Sequence, residues 1–180
     1  MGFSFFIKIT GNNKNLVILY DYNKNELYHK YYDEEDNEKI DRSDNEFDDE
    51  SKYEKGKYHH SASIVNNGDI IKLVESCFGG TVRIWDFHTG LLLHKIKVGN
   101  IALDVCLWNK DYVFVAGLSS IKMINLNNGK IIKELKERES EEGEEGQYIT
   151  TIKKIQHPLF RDCLLFQKDG KLIQLCKNII

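Results

Sequence analysis

No apolar run in this chain of 180 residues approaches the roughly 18 needed to span a bilayer. The apolar N-terminal stretch Phe3-Ser4-Phe5-Phe6-Ile7 runs straight into Lys8 and lacks a small-residue cleavage site, so it reads as a strand and not a signal segment. Proline occurs once, at Pro158, and together with the many Lys, Asn and Ile residues reflects a bias of composition. The four cysteines, Cys77, Cys106, Cys163 and Cys176, are scattered with no Cys-x-x-Cys pair and no His at ligand spacing. A secreted chain could pair them; without a signal segment they read as reduced, mostly buried thiols. Catalytic motifs are missing too. Cys77-Phe78-Gly79-Gly80-Thr81 lacks the Gly-Lys-Ser/Thr ending of a phosphate loop, and there is no Gly-x-Ser-x-Gly elbow and no His-Glu-x-x-His. His59-His60 are adjacent, and adjacent strand residues face opposite ways, so one metal site does not use both easily. These absences leave no catalytic residue, cofactor or metal to assign, and the expectation is a chain that is not an enzyme.

What is present is repetition. In Gly79-Gly80-Thr81-Val82-Arg83-Ile84-Trp85-Asp86-Phe87-His88-Thr89-Gly90, Val82 and Ile84 alternate with Thr81 and Arg83, which is a strand with one apolar face. His88-Thr89-Gly90 reads as a turn into the next apolar run, Leu91 to Ile96. Shifting the stretch by 39 residues lays Ser120-Ile121-Lys122-Met123-Ile124-Asn125 over Thr81 to Asp86, and Gly129 over Gly90. Two weaker copies flank these. Leu16 to Asp21 puts Tyr20-Asp21 at the Trp-Asp place, and Ile173 to Lys177 puts Cys176 at the Trp place.

Charge is unevenly distributed. Asp33 to Glu50 holds eleven acids and two bases, and Glu134 to Gly146 seven acids and two bases. The remainder is then at +11 although the whole chain is at −3. Such runs read either as solvated, disordered inserts or as a contact surface.

Strand, turn, Thr-Val-Arg-Ile-Trp-Asp, turn, strand resembles the core of a WD-repeat blade. That resemblance implies an all-β fold, a partial β-propeller of two complete four-stranded blades flanked by two incomplete ones. The expected division is a first blade over 1–32 holding strands b to d, an acidic disordered insert over 33–57, and complete blades over 58–98 and 99–135. An acidic loop over 136–147 and a fourth blade over 148–180, holding strands a to c, complete it. Propellers close with about four to eight blades of roughly 40 residues, so the expectation is an open arc, a fragment, or a half that pairs with another chain through its open blade edges.

Residues of the family's buried hydrogen-bonded network carry over in part. Trp85 is present and Ser76 on strand b is expected to serve it, whereas Gly79 stands at the Asp place of the b-to-c turn and Gly99-Asn100 at the Gly-His place. Trp85, Asp86, Gly90, Gly129 and Asp21 are the structural motif residues. The family's adaptor-docking motif Trp-Asp-x-Arg is broken, because Trp85-Asp86-Phe87-His88 ends in His.

The function this implies is a cytoplasmic protein-interaction scaffold, with the nucleus left open as a location. In a propeller the d-to-a connections and the b-to-c turns share one face, so both acidic segments are expected there and would select a basic partner. Phe78, before the turn glycines, reads either as an aromatic anchor for that partner or as packing between blades. Ser43, followed by Asp44 and Glu46, is a candidate phosphorylation site for an acidophilic kinase. Nucleic acid is disfavoured, since lysines are spread over all strands and the acidic segments repel phosphate. A membrane partner has no support, and a repeat fragment without activity of its own is the alternative.

Overall fold

In a computed structural model of the chain, the structure describes residues 5–10, 16–21, 26–32, 59–66, 70–77, 79–118, 120–136, 148–157, 161–168 and 170–175. Phe78, Ser43, Cys176 and the acidic segments over 33–57 and 137–147 lie outside them.

The described residues form strands only, arranged as four successive antiparallel meanders. The first sheet is β1 (Phe5–Thr10), β2 (Leu16–Asp21) and β3 (Glu26–Tyr32). The second is β4 (His59–Asn66), β5 (Ile71–Cys77), β6 (Thr81–Asp86) and β7 (Leu92–Lys97). The third is β8 (Ala102–Leu107), β9 (Tyr112–Gly117), β10 (Ser120–Asn125) and β11 (Ile131–Lys136). The fourth is β12 (Ile149–His157), β13 (Arg161–Lys168) and β14 (Lys171–Leu175). Short β-rich runs bounded by Gly, Asn and Asp turns leave the backbone few alternatives, since each strand meets its neighbour through a tight connection.

Each sheet packs on the next through an apolar layer. Tyr31, Leu73, Trp85 and Phe87 fill the first interface. Val74, Val82, Ile84, Val105, Val113, Val115 and Ile124 fill the second. Phe114, Ile121, Met123, Ile152 and Leu164 fill the third. The middle two sheets are therefore covered on both faces, which is why Leu73 to Cys77 is buried without alternation. Cys77, Cys106 and Cys163 are all buried.

The repeat extends to backbone irregularities. The sixth strand is irregular against β7 at Ile84/Trp85, and β10 is irregular against β11 at Met123/Ile124. The irregularity of β2 against β3 falls at Leu19/Tyr20, which sets Tyr20 and Asp21 level with Trp85 and Asp86. The first strand of each of the other three sheets carries its own bulge, at His59/Ser61, Ala102/Asp104 and Ile149/Thr151. Bulges tighten strand twist locally, and their recurrence marks equivalent positions.

That register corrects one assignment. Ser76 pairs with Val82, Ala116 with Ile121 and Gln167 with Leu172. Leu175, not Cys176, therefore stands at the Trp place in the fourth sheet. Apolar residues stand at adjacent positions there, Leu172-Ile173 and Leu175-Cys176, so alternation alone did not fix the parity.

Candidate interaction site

The turns after β6 and β10 are built alike. Asp86 Oδ1 accepts from the backbone N–H of His88 (3.1 Å) and Thr89 (2.8 Å) and from Thr89 Oγ1 (2.8 Å). Asn125 Oδ1 accepts from the N–H of Asn127 (2.8 Å) and Asn128 (3.2 Å). Gly90 and Gly129 close these turns with φ of 70° and 68°, a region glycine enters without a Cβ clash. The Thr89 bonds hold the Asp86 carboxyl below the ordinary carboxylate range.

Trp85 is 2% exposed and lies against Tyr31, ring centroids 6.1 Å apart. Its indole N–H finds no acceptor among the described residues. Ser76 does not serve it: Ser76 lies on the face of β5 that carries Val74, and its hydroxyl donates to Ser61 O at 3.5 Å. Trp85 pairs with Leu73 on the opposite face, so strand alternation keeps the two apart.

Sequence reasoning missed four buried charged residues. Asp104, at the bulge of β8, accepts from Ser61 Oγ at 2.6 Å, from Val105 N–H at 2.9 Å and from Ile152 N–H at 3.0 Å. One carboxylate thus joins the first strands of three sheets. Lys72 Nζ donates to Leu126 O (2.8 Å) and Asn127 Oδ1 (2.9 Å) in the turn of the neighbouring sheet. Burial lowers its pKa, with Asp111 opposing. Arg83 pairs with Glu75 at 3.4 Å, both buried, and donates to Cys77 Sγ at 2.6 Å.

At the opposite end of the sheets from the Asp86 and Asn125 turns, several connections converge. Val98 N–H donates to Gly80 O at 2.8 Å, so the turn after β5 meets the link from β7 to β8. A Cβ on Gly80 would come within 2.1 Å of Gly99 O, so only glycine allows that approach. A recess of about 360 Å³ opens beside this contact, lined by Gly99, Asn100, Gly117, Leu118, Lys122 and Glu134 among others. Lys122 Nζ donates to Val98 O and pairs with Glu134 at 3.3 Å. Burial pushes the Glu134 carboxyl up, but the Lys122 bond and the charges of Lys122 and Lys136 outweigh it and leave its pKa lowered.

Both acidic segments join this end. The first returns at His59, which pairs with Cys77 at the turn after β5. The second leaves from Lys136 on the rim of the recess and returns at Tyr148, which bridges to Leu118 at the turn after β9. Tyr148 is 49% exposed. Phe78 and Ser43 lie outside the described residues. Among the described residues no three His, Cys, Asp or Glu side chains converge as metal ligands.

No family model matches the chain, and no curated protein matches it. Among solved structures, the chain is similar to the dihydro-heme d1 dehydrogenase NirN in complex with DHE, with a TM-score of 0.61 and 9% identity. That likeness covers 97% of this chain and 32% of the dehydrogenase, so the chain spans about a third of that protein's length. It is also similar to the computationally designed Ika4 protein, with a TM-score of 0.61 and 12% identity, covering 98% of this chain and 87% of that one. At these identities the likeness is one of fold alone.

Proposed function

We propose that the four sheets are WD-type blades of an open propeller arc, and that the chain is a non-enzymatic scaffold binding a basic protein segment at the end where its acidic segments emerge. One observation carries this reading: the two acidic segments return at equivalent turns of neighbouring sheets, His59 beside Cys77 and Tyr148 beside Leu118. Residues far apart in sequence thereby share one field. A single-signed field raises encounter with oppositely charged ligands, while the recess and an aromatic anchor, for which Phe78 is the candidate, govern how long the partner stays.

The test titrates a lysine-rich peptide and a single-stranded DNA oligonucleotide against the intact chain and against a chain lacking 33–57 and 137–147. The proposal expects the peptide to bind the intact chain and to be lost from the deleted one. Stronger DNA binding by the deleted chain, with no peptide binding by either, would instead indicate a nucleic-acid module. Binding of neither ligand would favour the fragment without activity of its own.

A further inference from the structure

We propose that the recess beside the link from β7 to β8 receives an arginine side chain of the basic partner, with Glu134 as the carboxylate that holds it. This rests on the reading that the acidic end binds a basic segment, and adds which side chain is selected. The second sheet shows the same place when the chain fills it by itself. Arg83 on β6 stands between Glu75 on β5 and Lys95 on β7. Its counterpart in the third sheet, Lys122 on β10, stands between Val115 on β9 and Glu134 on β11. Cys77, which pairs with His59 ahead of the bulge in β4, has Gly117 as its counterpart, paired with Ala102 ahead of the bulge in β8.

In the second sheet the arginine is closed in. Its Nη1 lies 3.4 Å from Glu75 Oε1 and 2.6 Å from Cys77 Sγ, and the Arg83 and Glu75 side chains are 2% and 0% exposed. The third sheet leaves the place open. Lys122 is slimmer than an arginine, and Gly117 supplies no side chain where Cys77 supplies a thiol. Across the gap Gly99 adds none either: a Cβ there would meet only Lys122 Nζ, at 4.0 Å. The result is the recess of about 360 Å³, with Val98, Ile101 and Val115 in its lining and Lys122 and Glu134 at 19% and 31% exposure.

Glu134 is the group with a partner to exchange. Its Oε1 lies 3.3 Å from Lys122 Nζ, and its Oε2 lies 3.6 Å from Nζ of Lys136, whose side chain is 70% exposed. The outer pair is weak, because water competes for both of its ends. An incoming cation can therefore displace Lys136 into solvent without changing the charge around the carboxylate. Lys122 stays in place on Val98 O and Oε1, and a carboxylate has lone pairs enough for both cations. Exchanging one lysine for another gains little. An arginine gains, because its planar fork donates two parallel N–H bonds where an ammonium is a point charge. Its stem is apolar and suits Val98, Ile101 and Val115. An anion is disfavoured in the same recess, since both acidic segments join this end.

The test titrates two peptides of equal length into the full chain, one carrying arginine wherever the other carries lysine, with binding read by fluorescence anisotropy. The arginine peptide should bind about fivefold more tightly. Glu134→Gln keeps the shape and removes the charge, and should bring the two affinities within about twofold of each other. Lys136→Met vacates Oε2. It should tighten the arginine peptide about twofold more than Lys130→Met does, an equal change of charge at the other end of β11. Urea melts confirm that each variant is folded. Equal affinity for the two peptides overturns the arginine site and leaves the basic-partner reading standing. So does a preference that survives Glu134→Gln, or an equal effect of Lys136→Met and Lys130→Met. Binding of neither peptide overturns both.

Discussion

At the residue scale, Trp85 and Asp86 do separate jobs that single substitutions can part. Trp85→Ala should cost about 3–5 kcal/mol, as expected for emptying a large buried site. Trp85→Phe keeps a ring against Tyr31 and forfeits no hydrogen bond to the described residues, so it should cost less than about 1.5 kcal/mol. Urea melts of the two variants check this, and equal losses would mean that the indole N–H has an acceptor. For Asp86 the folded pKa is lowered, so its contribution is complete above the ordinary carboxylate pKa and is lost as pH falls through the folded value. Asn125 makes the sister turn without a charge. Asp86→Asn should therefore keep the turn at neutral pH and flatten the acid limb of a melting-temperature profile. A neutral-pH loss as large as that of Asp86→Ala would contradict this. The turns closed by Gly90 and Gly129 were legible in the sequence because turn chemistry is local. The supposed Ser76 to Trp85 bond was not, because face parity along β5 separates the two. Asp104 did leave a trace, a carboxylate inside the apolar run Ile101 to Trp108, but only the meeting of three sheets gives it partners.

At the element scale, short apolar or alternating runs bounded by Gly, Asn and Asp turns mark every strand of the two central sheets to within a residue or two. The bulges were not legible, since an extra residue changes register without changing composition. They matter because the bulge of β8 aims Asp104 at its neighbours. Asp104→Ala removes the acceptor for Ser61 and Ile152. At roughly 1.5–3 kcal/mol per hydrogen bond to a charged group, the loss in a denaturant titration should be about 3 kcal/mol or more. Asp104→Asn, which retains one acceptor oxygen, should lose less. A loss below about 0.5 kcal/mol for the alanine variant would mean that the first strands are held by apolar packing alone.

At the scale of the whole molecule, the chain divides into strongly acidic segments and a basic remainder, and the topology gathers the returns of both segments at one end. Composition made the charge division visible from the start. In the sequence the shared end followed only from the propeller resemblance; in the structure the residues flanking each segment meet equivalent turns. The recess beside them had no sequence signal, because its lining comes from the link between β7 and β8 together with residues of β9, β10 and β11. If the apolar layers hold the fold, deleting 33–50 should cost little stability, since closure entropy changes slowly with loop length. The claim that those segments steer a partner is tested most directly by the association rate of a lysine-rich peptide, measured by stopped flow as salt rises from low to physiological ionic strength. The expected result is a steep fall in the on-rate with a nearly constant off-rate, as screening shortens the reach of the field to about 8 Å. An on-rate indifferent to salt, or unchanged when 33–57 and 137–147 are removed, would contradict it.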